Sequence, residues 1–184
     1  MLQKQLLLCA FMLVATATSA QKQTLSEGLR PLAFTLGNWE FTWHHLDPQT
    51  RKYVDDGKAY SSVTLIHNGL TYADEFYKKN KDGSEIRGTT FRGYDPASKK
   101  LKLMWLVAGN LSYSTASGSK EGDNIVLYFD EEQNDQYGNY RVRITFYNIT
   151  SNSYEWKQDF IYKDGTVVEK TMFYEAKRID SWKQ

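Results

Sequence analysis

The chain has 184 residues, a formal net charge of +1 and 15% aromatic residues. Its acidic and basic side chains alternate instead of forming basic clusters, which argues against a nucleic-acid partner. The chain has one cysteine, Cys9, and the mature form predicted below has none. Disulfides, thiolate nucleophiles and cysteine-ligated zinc are therefore not expected in the mature protein.

Residues 1–20 have the organisation of a signal peptide. Lys4 supplies a positive charge, an apolar stretch follows it, and a run of small residues ends at Ala20. The apolar stretch is shorter than the roughly 20 residues that a transmembrane helix needs. We expect cleavage near Ala20 and export of the mature chain to the periplasm or the medium, with no integral membrane segment left in it. The alternative is an uncleaved anchor.

Residues 21–35 are predicted to form an N-terminal segment with one short helix. Thr24 and Glu27 have the spacing of a capping box, and leucines recur on one face of the segment. Pro31 limits the helix to a turn or two. A short helix directly before the first strand can cover one end of a barrel.

From residue 36 onwards, short segments rich in aromatic and β-branched residues alternate between apolar and polar positions. Turn signals such as Asn68-Gly69 and Asp164-Gly165 separate these segments. Ten strands are predicted, at residues 36–46, 57–67, 70–78, 84–94, 100–108, 111–117, 124–130, 139–148, 154–163 and 166–177. Residues 131–138 are predicted to be the longest loop.

The predicted fold class is all-β: an antiparallel up-and-down barrel of about ten strands over residues 36–178. Short connections favour pairing between consecutive strands, and closure of the sheet removes its exposed edges. Residues 179–184 form a C-terminal tail. An open two-sheet sandwich is the alternative.

Several motifs follow one another in an order that carries a family resemblance. Gly37-Asn38-Trp39 begins the first strand, and Gly93-Tyr94-Asp95-Pro96, Trp105 in an apolar strand, a Ser/Gly-rich stretch and finally Arg178 come after it. This order resembles a lipocalin-like family of exported bacterial domains in the calycin superfamily, whose function is unknown. The resemblance implies that Trp39 closes one barrel end beneath Arg178, and it implies no particular chemistry.

No cofactor or metal is expected. The architecture is similar to nitrobindin, a ten-stranded haem barrel whose haem ligand is a histidine near the C-terminus, but the last histidine here is His67. His44 and His45 are neighbours on a strand, so their side chains point to opposite faces and do not bind one metal ion together. The acidic loop that begins at Asp130 lacks the spacing of a calcium loop.

The predicted ligand-binding residues are aromatic side chains on the strand faces taken as inward, with two charged residues among them. They are Trp43, Tyr72, Asp74, Arg87, Trp105, Tyr113 and Trp156. A buried charge needs a partner, so Asp74 and Arg87, on neighbouring strands, are expected to pair as a polar floor. The alternative is that these strands face the other way or that the lumen is wet.

The sequence therefore predicts a barrel that binds a small hydrophobic or amphipathic molecule. Common catalytic and phosphate-binding motifs are absent from the sequence. One alternative is an enzyme on the same barrel, such as an isomerase, cyclase or hydratase, with His45, Asp74 and Glu169 as candidate acid–base residues. A second alternative is an interaction module with a filled core.

Overall fold

The computed structural model describes residues 25–182. The predicted signal peptide, its cleavage site and Thr24 lie outside the described residues. Two 3₁₀ helices span Glu27–Thr35 and His67–Gly69. The strands are β1 (Gly37–Leu46), β2 (Tyr53–Ile66), β3 (Thr71–Lys79), β4 (Glu85–Asp95), β5 (Lys100–Val107), β6 (Tyr113–Glu121), β7 (Asn124–Phe129), β8 (Gln133–Asp135), β9 (Gly138–Tyr147), β10 (Ser153–Tyr162) and β11 (Val167–Ile179).

Ten of these strands form one closed antiparallel barrel. Consecutive strands from β1 to β7 are neighbours, β9 follows β7, and β10 follows β9. β11 pairs with both β10 and β1, and this last pairing closes the sheet. The predicted all-β up-and-down barrel is confirmed, and the open sandwich is excluded because the strands form one continuous ring.

The extra strand, β8, lies where the longest loop was predicted. It pairs with the first residues of β9, on the same side of β9 as β7. A connection that is polar and acidic by sequence therefore continues the barrel wall for three residues before it turns back. Within residues 25–182, neither helix is long and apolar enough to cross a membrane.

The second strand begins earlier than predicted because it passes through a β-bulge. Trp43 pairs with Gly57, whereas His44 pairs with Asp55, so Asp56 is the extra residue on β2. Gly57 has a φ of +84°, a backbone conformation that glycine adopts without strain. The sequence suggested that the strand starts at this glycine, but the glycine instead lets β2 continue past the bulge.

The N-terminal 3₁₀ helix covers one end of the barrel. It contains Pro31, and it buries Leu29 and Leu32 against the core. Next to it lies a dense group of rings that includes Trp39, Phe146 and Tyr154. This end of the barrel, called the closed end below, is filled by side chains, whereas the half nearer the opposite rim contains a cavity.

Candidate ligand-binding site

The barrel contains a cavity of about 350 Å³. It extends from Asp74 and Arg92, near the middle of the barrel, to Lys78 and Ile86 near the rim. Ligand pockets in proteins measure roughly 300–1,000 Å³, so this volume suits a small molecule. A second, more open depression lies against the N-terminal helix, and charged side chains such as Glu27, Lys99 and Lys120 form part of its lining, so the lumen is the candidate site.

The cavity wall is aromatic and aliphatic. Trp43 and Trp156 each lie 5.0 Å from the ring of Tyr174, and Phe76 lies 5.5 Å from Trp105. Rings in mutual contact have few alternative rotamers, which gives the wall a defined shape. The apolar lining residues are Phe41, Trp43, Phe76, Ile86, Leu103, Trp105, Phe129, Ile144, Phe146, Trp156, Met172 and Tyr174.

The floor of the cavity is a buried ion pair between Asp74 and Arg92. Arg92 Nη2 donates to Asp74 Oδ2 at 2.6 Å, and the Ser61 hydroxyl donates to Asp74 Oδ1. Burial lowers the pKa of Arg92, but the carboxylate of Asp74, together with Tyr154 and Tyr174, outweighs that effect, and the net pKa lies above its ordinary value. The guanidinium therefore stays charged in the core, and the pair is electrically neutral.

The predicted pairing of Asp74 with Arg87 is wrong. Arg87 lies on the outer wall, where its Nη2 is 3.0 Å from Glu85 Oε2 and its guanidinium is 4.7 Å from the ring of Tyr77. Side chains alternate along a strand, so an outward Arg87 makes Arg92 inward. The cavity floor is therefore polar and contains Asp74, as predicted, but the cation that pairs with Asp74 is Arg92 of β4.

Toward the rim, the inward face of β4 has the apolar Ile86, but its middle has small or polar residues. They are Gly88, Thr90 and Arg92, all buried. The ring of Trp105, on the neighbouring strand β5, occupies the space next to Gly88: an added Cβ would lie 2.3 Å from its Cη2 atom. The apolar volume of this part of the wall is therefore supplied by β5.

The other predicted ligand-binding residues occupy three kinds of position. Trp43, Trp105 and Trp156 line the cavity together with Asp74. Tyr72 is fully buried and lies opposite Arg92 in the register of β3 and β4. Tyr113 is 67% exposed at the start of β6 and is not among the lining residues.

The three candidate acid–base residues are not brought together. Asp74 is held by Arg92, and Glu169 is exposed on β11. His45 Nδ1 lies 2.6 Å from Asp56 Oδ2, and Asp56, unlike His45, is among the lining residues of the cavity. Among the described residues, no group of three or more histidine, cysteine or acidic side chains is placed to hold a metal ion.

Sequence reasoning missed three charged lining residues: Asp56, Lys78 and Arg92. Lys78 could have been found, because it shares the period-two face of Asp74 and Phe76 on β3. Its Nζ lies 3.9 Å from Asp56 Oδ2 and 5.7 Å from the ring of Trp43. Asp56 gave no such signal, because the bulge that turns it toward the lumen is a property of strand pairing.

A comparison with models of known protein families returned no match, and a search among curated proteins returned none either. The function must therefore be inferred from the barrel and its cavity.

Proposed function

We propose that the protein is an exported, lipocalin-like carrier that binds a small hydrophobic or amphipathic molecule in its lumen. The observation that carries this proposal is the cavity of about 350 Å³ with an aromatic wall and a neutral ion pair at its floor. An apolar ligand gains free energy there because its surface leaves water. The same volume counts against the filled-core interaction module.

The proposals of export and of family membership are supported by different observations. Export rests on the charged, apolar and small-residue order of residues 1–20. Membership of the calycin superfamily is supported by the order of the sequence motifs together with the contact between Arg178 and Trp39, 4.2 Å from guanidinium carbon to ring centre.

A lumen-filling substitution tests the binding function. Thr90 is buried and lines the cavity, whereas its neighbour Thr89 lies on the opposite face of β4. Thr90→Trp should place an indole in the lumen and abolish binding of a neutral apolar probe, N-phenyl-1-naphthylamine, measured by probe fluorescence and by quenching of the lumenal tryptophans. Thr89→Trp is the matched control and should bind as the wild type does.

Two outcomes would contradict a lumenal binding site. One is a probe that binds the wild type and Thr90→Trp equally, because the probe would then occupy another surface. The other is a wild-type protein that binds no apolar probe at all. Native mass spectrometry of protein purified from its source adds a direct test, since a carrier should retain a small molecule.

A second candidate function is favoured by the contact between His45 and Asp56. An imidazole bonded to a carboxylate supplies a proton to it or takes one from it. Because Asp56 lines the cavity, it is the member of the pair that meets a lumenal substrate, and an enzyme that isomerises, cyclises or hydrates a hydrophobic substrate fits the same barrel. In that case, His45→Gln should stop conversion of the natural lumenal compound, followed by mass spectrometry, and should leave probe binding unchanged.

A further inference from the structure

Three hydrogen-bonding atoms near the cavity floor have no partner among the described residues. They are Nε and Nη1 of Arg92 and the hydroxyl of Tyr72. Arg92 is 5% exposed and lines the cavity, whereas Tyr72 is fully buried directly beside it, as its register partner on β3. Buried polar atoms in proteins are normally hydrogen-bonded, so three unpartnered atoms together indicate a place for an acceptor.

All three atoms are in a state to donate. The guanidinium of Arg92 carries its full set of N–H groups, and only Nη2 is bonded, to Asp74. Burial raises the pKa of Tyr72 to about 12, against a smaller opposing effect of the positive Arg92, so the phenol keeps its proton at neutral pH. An oxygen atom that accepts hydrogen bonds would satisfy these donors.

The charges around the lumen favour a neutral acceptor over an anionic one. The charged lining residues are two acids, Asp56 and Asp74, and two bases, Lys78 and Arg92, so their formal charges cancel. Each acid also lies near a base: Asp74 pairs with Arg92, and Asp56 lies 3.9 Å from Lys78. A carboxylate ligand would add an uncompensated charge to a buried site, whereas a carbonyl group would add none.

We infer that the inner end of the lumen is a subsite for the neutral carbonyl group of an otherwise apolar ligand, whose oxygen accepts hydrogen bonds from Arg92 and Tyr72. This inference rests on the proposed carrier function and specifies the class of ligand. The apolar part of the ligand lies against the aromatic wall toward the rim. Arg92 has two roles in this arrangement, because it neutralises Asp74 through Nη2 and serves the ligand through its remaining N–H groups.

The test compares three compounds of similar size: butylbenzene, the ketone butyrophenone and the carboxylate 4-phenylbutanoate. The affinity of each compound is measured by its competition with bound N-phenyl-1-naphthylamine. The proteins compared are the wild type and the double variant Asp74→Leu/Arg92→Met, which removes the ion pair without leaving either charge alone. We expect the double variant to bind butyrophenone about ten-fold more weakly and butylbenzene as well as the wild type does, since one lost hydrogen bond corresponds to roughly that factor.

Two further variants keep the test informative if the double variant does not fold. Tyr72→Phe removes only the hydroxyl and should weaken butyrophenone binding while sparing butylbenzene. Arg87→Met makes the same type of substitution on the outer wall and should leave both affinities unchanged. In the wild type, 4-phenylbutanoate should bind more weakly than butyrophenone.

The outcomes separate this inference from the carrier function on which it rests. If butylbenzene binds but butyrophenone loses no affinity in either lumenal variant, the carbonyl subsite is overturned and the carrier function stands. Tighter binding of 4-phenylbutanoate than of butyrophenone would overturn the preference for a neutral group. If none of the three compounds displaces the probe and the probe itself does not bind, both proposals are wrong.

Discussion

Gly37, Trp39 and Arg178 form one structural unit at the closed end of the barrel. Trp39 Nε1 donates to the Thr35 carbonyl at 2.7 Å, and the Arg178 guanidinium lies 4.2 Å from the indole ring. Arg178 also donates to three backbone carbonyls, one of which is that of Leu36. A Cβ on Gly37 would lie 2.6 Å from Arg178 Nη1, so the glycine of the Gly-x-Trp motif leaves room for the arginine.

The first prediction concerns Trp39, which is completely buried. Trp39→Ala should lower the free energy of unfolding by about 3–5 kcal/mol, because it removes a large core side chain and leaves a cavity. Urea denaturation measures this change. Trp182→Ala is the control, since Trp182 stacks on Tyr60 outside the barrel wall and should have a much smaller effect. Loss of probe binding with unchanged stability would show that Trp39 belongs to the ligand site.

The second prediction concerns the buried pair of Asp74 and Arg92. Asp74→Leu alone should lower the free energy of unfolding by about 3–5 kcal/mol, because it leaves a buried guanidinium unpaired. The double variant Asp74→Leu/Arg92→Met should recover much of this loss. Arg87→Met should change stability by less than about 1 kcal/mol, since its pair with Glu85 is exposed. If Asp74→Leu has as small an effect as Arg87→Met, the pair is solvated and the neutral floor is wrong.

At the scale of elements, Asp159 connects three strands where their register changes. The pairing of β10 with β11 shifts between Gln158 and Phe160, and the buried Asp159 carboxylate accepts a 2.9 Å hydrogen bond from the Lys170 N–H across this bulge. On the other side, Arg143 of β9 donates to the same carboxylate at 2.7 Å. Asp159 thus replaces ladder hydrogen bonds that the bulge interrupts.

The third prediction is the pH dependence of this contact. Burial raises the pKa of Asp159, but the Lys170 N–H, Arg143 and Lys157 outweigh it, and the net pKa lies below its ordinary value of 3.8. A lowered folded-state pKa means that the stabilisation is complete above the unfolded-state pKa and is lost as the pH falls through the folded-state value. Asp159→Asn should therefore cost about 1.5–3 kcal/mol at neutral pH, and the difference from the wild type should shrink below a pH of about 4.

Urea denaturation at a series of pH values measures this dependence. Glu85→Gln is the control, because Glu85 forms an exposed pair on the outer wall and should change stability little at any of these pH values. A constant difference between Asp159→Asn and the wild type down to pH 3 would contradict the assigned role of the carboxylate.

At the scale of the whole molecule, the two halves of the barrel are packed differently. Toward the closed end, the helix and the rings around Trp39 fill the interior. Toward the rim, large rings on β1, β5 and β10 form much of the wall, while Gly88 and Thr90 on β4 are small, so space remains between them. Substitutions at the closed end should therefore affect mainly stability, whereas the Asp74–Arg92 pair at the cavity floor should affect both stability and binding.

The fourth prediction concerns the mature molecule as a whole. Residues 1–20 should be removed during export, because they have the charge, apolar stretch and small-residue ending of a signal peptide. N-terminal sequencing of the exported protein should begin at or near Gln21. Recovery of a chain with a lipid attached to Cys9 would contradict both the cleavage site and the release of the mature protein.

The sequence by itself determined the barrel. Period-two alternation and short turns predicted the strands and their consecutive pairing, because these features depend on local hydrogen bonding and turn chemistry. All ten predicted segments are strands of the barrel, and only the short strand β8 was not predicted. The family resemblance of the Gly-x-Trp motif and of Arg178 after the last strand implied the contact between Trp39 and Arg178, and the structure contains it. On β3, alternation from Asp74 also places Lys78 on the same face, although Lys78 was not among the predicted site residues.

Only the tertiary structure decided which face of β4 is inward and which charges meet in the lumen. Alternation divides a strand into two faces but does not say which one faces the core, and the choice here depends on Trp105 of the neighbouring strand, which fills the space beside Gly88. For that reason the partner of Asp74 is Arg92 and not Arg87. A β-bulge also changes which side chains of a strand point inward. Asp56 lines the cavity because of the register shift between β1 and β2, and the sequence of one strand alone does not predict such a shift.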